Sequence, residues 1–207
     1  MSSLNKRMSM VAAVCGLALA GSSGCALLSM LLQGVGLLPP ASSPLSLLAL
    51  MAQAEQLVVP QYPSAILVEV VGAPSSGSAT VSSDVDRWQF RFPENPMAVA
   101  GTVWVDYENG QLSGPFYTEQ GLLGTVFEVL PRTMDLDQAI QKMRDAGYTE
   151  AFTAVSFRKP LTFPLPEEAL YAFSVPGRFI LVGALTGNVT TETPTEGVGP
   201  SAFFTQP

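Results

Sequence analysis

The sequence predicts an α+β fold: antiparallel strands with one helix in each of two degenerate repeats, behind an apolar N-terminal signal or anchor. Three observations lead there. Residues Arg87–Phe92 alternate strictly, with Trp88, Phe90 and Phe92 on one face and Arg87, Gln89 and Arg91 on the other, the period-two pattern of a half-buried strand. Leu136, Ala139, Ile140 and Met143 recur at helical spacing between a capping Asp135 and a terminating Gly147. The order of elements in the first half then recurs in the second.

The elements follow in order. Residues 1–24 read as a signal peptide or membrane anchor, and residues 25–41 as an apolar tether. Pro39-Pro40 breaks any helix there. Ser43 is a suitable N-cap with Pro44 at the first helical position, and Leu47, Leu50, Met51, Ala54 and Val58 form an apolar helix face that Leu45 and Leu48 widen. Ala65–Val71 is rich in branched residues and reads as a strand. Thr102–Tyr107 is another, and Asn109-Gly110 behind it is a strong hairpin signal. Residues 125–130 make a short strand before Pro131.

In the second helix Gln138 completes a capping box with Asp135, while Lys142 and Arg144 sit near its negative end. Strands are expected at 151–158, 170–175, 178–185 and 188–191, with 193–207 a flexible tail. Side by side, Tyr62-Pro63-Ser64-Ala65 matches Tyr148-Thr149-Glu150-Ala151, and Trp88-Gln89-Phe90 matches Tyr171-Ala172-Phe173. Val103-Trp104-Val105 likewise matches Ile180-Leu181-Val182, each followed by a glycine-containing turn. The repeats are placed at 42–130 and 131–192, sharing one sheet or packing sheet to sheet.

Composition excludes much chemistry. The chain has no His, which removes Ser-His-Asp and Cys-His nucleophile pairs and imidazole metal ligands. Two Cys cannot build a Cys-rich metal centre. A net charge of −7 argues against nucleic-acid phosphates as a partner. Asp84 with Asp86 in a Ser-rich loop reads as solvated carboxylates, and neither Asp106 with Glu108 nor Glu167 with Glu168 has a spacing that defines an acid–base pair. No catalytic residue, cofactor or metal is expected.

The first residues give an address. Lys6 and Arg7 precede an apolar run, Met8–Ala20, of the length a secretory signal needs. Ala18-Leu19-Ala20 would suit ordinary signal peptidase. Ser22-Ser23-Gly24-Cys25 resembles a bacterial lipobox, with Ser22 where Leu is usual, and makes Cys25 the lipid-attachment residue. Met10–Leu32, 23 residues without charge, could instead remain as a spanning helix. All three readings put the later domain outside the cytoplasm, and the anchored ones place it in the cell envelope, as a periplasmic or outer-membrane lipoprotein where Cys25 is lipidated. Residues 8–54 contain no Asp, Glu, Lys or Arg, and removing residues 1–24 leaves 8 basic against 17 acidic side chains, a net −9. An acidic domain therefore stands behind a charge-free anchor.

Residues 171–189, YAFSVPGRFILVGALTGNV, following a capped helix that ends Ala-Gly-Tyr, resemble the PepSY domain. The stretch Val182–Val189 matches that family's Val-Asp-Ala-x-Thr-Gly-x-Val segment, with Gly183 in place of the usual Asp. The first copy keeps an acid, Asp106, and lacks the Thr. Two such copies in tandem resemble the β-lactamase-inhibitor-protein architecture, which presents a concave aromatic sheet to a partner. The resemblance implies a noncatalytic module that binds, or inhibits, another protein.

For such a face the candidates are the aromatics Trp88, Trp104, Tyr107, Phe116, Tyr117 and Tyr171. Alternation turns Trp88 inward with Phe90 and Phe92, whereas Tyr107, Phe116 and Tyr117 lie near hairpin ends. The alternative function is an accessory or structural subunit of a membrane complex, its apolar residues 26–58 buried against partners. Intact-mass measurement of the chain from its native membrane is expected to give an acylated Cys25 as the first residue; any other mature N-terminus refutes the lipoprotein reading.

Overall fold

The computed structural model describes residues 46–95, 101–122, 128–130, 132–159 and 168–193. The expectations for the signal or anchor, Cys25, the tether and the tail beyond 193 lie outside these. No described helix is long and apolar enough to cross a membrane.

The described residues form α1 (Leu47–Val58), β1 (Glu69–Ala73), a 3₁₀ turn (Ser82–Asp84), β2 (Arg87–Pro93), β3 (Thr102–Glu108), β4 (Gln111–Thr118), α2 (Leu136–Asp145), β5 (Ala154–Arg158), β6 (Leu170–Val175), β7 (Arg178–Gly183) and β8 (Val189–Glu192). All eight strands join one antiparallel open sheet in the order β4-β3-β2-β1-β5-β6-β7-β8. The fold is α+β, as the patterning predicts, and the strands share one sheet. Each half is a meander of neighbouring strands; among the eight described strands, β1 and β5 are the pair that joins distant parts of the chain.

Helix α1 buries Leu47, Leu50, Met51, Ala54 and Val58, the face expected. Its cap is Ser46, whose hydroxyl accepts from the Ala49 amide at 3.2 Å, so the helix begins three residues after the position Ser43 would set. Helix α2 buries Leu136, Ala139, Ile140 and Met143 and carries the capping box of Asp135 with Gln138. Asp135 has a further role. Its Oδ1 accepts from the Leu136 amide at 2.8 Å and also from the Leu47 amide, the first of α1, at 3.1 Å. One carboxylate oxygen therefore binds the leading N–H of both helices.

Strand β1 begins at Glu69, four residues later than Ala65. Just before that point the Val68 amide still donates to Arg91 O on β2, but the Leu67 carbonyl turns to the Val129 amide. The Val129 bond engages residues 128–130 outside any described strand. At β3–β4 Asn109 and Gly110 adopt φ of 54° and 80°, the left-handed pair that a two-residue hairpin loop requires. Strand β4 is longer than its Gly114 and Pro115 advertise, because a bulge opposite Trp104–Asp106 absorbs them.

The core lies between the helices and one face of the sheet. Phe157 and Tyr171 stack at 4.4 Å between ring centroids, and Phe152 meets Phe173 edge-on at 5.0 Å. The Tyr171 hydroxyl donates to Met134 O at 2.8 Å, and burial, with Asp135 adding to it, holds its pKa far above the ordinary value. Trp88 lies over Gly72, where a Cβ would run into its ring. Gly72→Ala is expected to cost about 1–3 kcal/mol through that overlap. Asp135→Ala removes a partner from two helices and should cost about 2 kcal/mol, against about 1 kcal/mol for Ser46→Ala. Urea unfolding followed by circular dichroism measures all three, and equal losses for the Asp135 and Ser46 variants would refute the shared cap.

Candidate binding face

Register decides which side chains share the side of the sheet away from the helices. Phe90, Val105, Val70 and Phe157 are cross-strand neighbours facing the core, so Glu69, Arg91, Trp104 and Arg158, one residue along their strands, face the other way. This open face carries Arg87 and Gln89 from β2, Asp106 from β3, Ser156 from β5, and Leu181 and Phe179 from β7.

Its centre is a chain of hydrogen bonds and ion pairs across four strands. Glu69, only 3% exposed, pairs through Oε2 with Arg91 Nη1 at 3.0 Å and through Oε1 with Arg158 Nη1 at 3.5 Å. Arg91 Nε donates to Gln89 Oε1 at 2.7 Å, and Gln89 Nε2 donates to Asp106 Oδ1 at 3.0 Å. A carboxylate this buried requires such partners to offset the cost of taking it out of water. Asp106 is thus part of this chain rather than of an acid–base pair with Glu108.

Toward the β4 edge the face becomes aromatic. Strict alternation from Ser113, which faces Asp106 on the open side, would send Phe116 to the helix side. The bulge inverts that phase. Phe116 comes to lie opposite Trp104, ring centroids 5.7 Å apart, and Tyr117 crosses to the helix side, where it stacks on Tyr62 at 6.1 Å. Gly114, at φ 118°, lies where a Cβ would press on Trp104 O at 3.0 Å.

The six candidate aromatics therefore separate. Trp104 and Phe116 meet on the open face, and Phe116 is 42% exposed. Tyr117 is exposed on the opposite side of β4, its hydroxyl donating to Glu94 Oε2 at 3.1 Å. Tyr107 is half-buried against the core. Trp88 and Tyr171 are core residues, in correction of their place among the binding candidates: both sit on the inward phase of their strands, with Trp88 Nε1 donating to Val85 O and Tyr171 bonded to Met134 O. The Glu69 chain went unseen in the sequence, although the facing of Arg91 and Gln89 was legible.

Two acids flagged earlier serve local turns. Asp84 accepts from the Thr80 and Val81 amides and Asp86 from the amide and hydroxyl of Ser75, and each is held below the usual carboxylate range by these bonds. Among the described residues no three acidic or thiol side chains converge as a metal site. Glu168 reaches across the β7–β8 turn to accept from the Leu185 amide at 2.5 Å, the Thr186 amide at 2.9 Å and Thr186 Oγ1 at 2.6 Å. Those bonds end β7 at Gly183, two residues before Leu185. A Cβ at 183 would overlap the Glu168 carboxylate.

Comparison with known protein families, curated proteins and solved structures finds no match to this chain.

Partial burial works to raise the Glu168 pKa, but the bonds from Thr186 and Leu185 outweigh it and the net displacement is downward. A carboxyl held lower in the folded chain than in the unfolded one stabilises above the ordinary glutamate range and loses that contribution as pH falls through it. Glu168→Gln is accordingly expected to be less stable than wild type at pH 7, with the gap closing toward pH 3; a gap independent of pH in denaturant titrations would refute the clamp.

Proposed function

We propose that this chain is an exported, membrane-tethered, noncatalytic module of the cell envelope that binds another protein through the open face of its sheet. The observation that carries this reading is the Trp104–Phe116 pair on a face that neither helix covers. Interface centres are enriched in aromatics with polar and charged groups around them, and truncating one of the few dominant residues there costs about 2 kcal/mol or more. The Glu69 chain supplies those charges in a fixed arrangement, so a partner meets a surface that needs little ordering.

We read the two halves as degenerate PepSY-like repeats. In support, α1 with β1–β4 and α2 with β5–β8 run in the same order, and the matched strings fall on corresponding strands: Trp88–Phe90 in β2 with Tyr171–Phe173 in β6, Val103–Val105 in β3 with Ile180–Val182 in β7. Tyr62 and Tyr148 each follow a helix by a few residues. Gly183 departs from the family's usual Asp, and the Glu168 carboxylate fills the space beside it, so the turn receives its acid from the residues just before β6. An inhibitory role comes from the resemblance to the β-lactamase-inhibitor-protein architecture alone.

Co-purification from the native membrane tests the reading. Wild type is expected to retain one protein partner, and Trp104→Ala with Phe116→Ala to retain at least about tenfold less, at an unchanged circular-dichroism spectrum. A lone monodisperse chain from the native membrane overturns the proposal. Capture that survives the double variant and disappears when the tether, residues 26–41, is replaced by a polar one establishes the accessory-subunit alternative instead, because α1 is already buried in the domain's own core.

A further inference from the structure

The helix side of the β4 edge holds a hollow of about 320 Å³ beside Gln61, Tyr62, Pro63, Ser64, Glu94 and Asn95. None of these is basic. Tyr117 touches two of these residues: its ring lies parallel to Tyr62 within 5°, and its hydroxyl donates to Glu94 Oε2. We propose that this hollow receives an arginine side chain of a partner protein, the guanidinium lying against the Tyr62 ring and pairing with the Glu94 carboxylate. The inference rests on the protein-binding reading and names the chemistry of one contact.

Three features of the chain argue for it. A guanidinium is planar, so it can stack on an aromatic ring while its N–H fork meets a carboxylate, which a lysine ammonium cannot do. Glu94 now accepts from a neutral phenol, a weaker donor than a cation. That bond, first among several influences, keeps the Tyr117 pKa above its ordinary value. The chain beyond residue 24 carries a net −9, which draws basic partners from a distance.

The test uses the full chain in detergent with tyrosine rings isotopically labelled. The probes are a blocked five-residue peptide with one central arginine and its citrulline twin, which keeps the shape and loses the charge. The arginine peptide is expected to shift the Tyr62 and Tyr117 ring signals saturably, with the citrulline peptide and the Glu94→Gln variant each at least about fivefold weaker. Tyr117→Phe, which keeps the ring and leaves the carboxylate in place, should still respond. Equal shifts from both peptides, or an unchanged response in Glu94→Gln, overturn the proposal. A captured partner beside an unresponsive hollow refutes only this inference, whereas an arginine-responsive hollow on a chain that captures no partner refutes the reading beneath it.

Discussion

A single carboxylate oxygen holds the two helices of this domain in place. Both helix N-termini present unsatisfied amides and the positive end of a macrodipole, and Asp135 Oδ1 answers both at once, although Leu47 and Asp135 are 88 residues apart. The Tyr171 hydroxyl fixes the adjoining Met134 carbonyl from the sheet below. Helix ends, sheet and the aromatic stack therefore meet within two residues of chain. With the starts of α1 and α2 pinned there, their apolar faces share one core with Phe90, Phe157 and Phe173.

Placing both helices on one side obliges the strands to be different on the other. Every residue between two inward aromatics must serve an outward surface. The central strands meet this with charge, and the cost of a buried Glu69 is offset by two guanidinium groups directly opposite it in register. The β3–β4 margin meets it with Trp104 and Phe116, and a local change of phase rather than composition decides which aromatic lands there. Polar centre and aromatic margin are consequences of the same layering.

Much of this was legible in the residues. The faces of α1 and α2 followed from helical spacing, and β2, β6 and the Asn109-Gly110 hairpin came from alternation and turn chemistry, because local patterning there agrees with the tertiary structure. The misreadings share a cause. The onset of β1, the end of β7 and the cap at Ser46 are set by hydrogen bonds to partners far along the chain or by a competing local cap, which no periodicity records. Phe116 and Tyr117 are harder still: a bulge shifts the phase by one, and the Gly-Pro that builds it looks like the end of a strand. Trp88 and Tyr171 were drawn into the binding set by residue type, although their phase already placed them inside.

The order of strands also fixes the order in which the sheet can be made. Pairings from β1 to β4 and from β5 to β8 join neighbours in the chain and close short loops, whereas β1 with β5 bridges more than 80 residues. Until that seam closes, each half exposes a bare inner strand, and the sticky edge of the first half is formed of Val70 and Val71. The native edges are better guarded, since β4 carries Pro115, which lacks an N–H, and β8 is only four residues of Val, Thr and Glu. The hazard of self-association is therefore concentrated in an unfinished intermediate, which ties the fate of this domain to how quickly its second half follows the first.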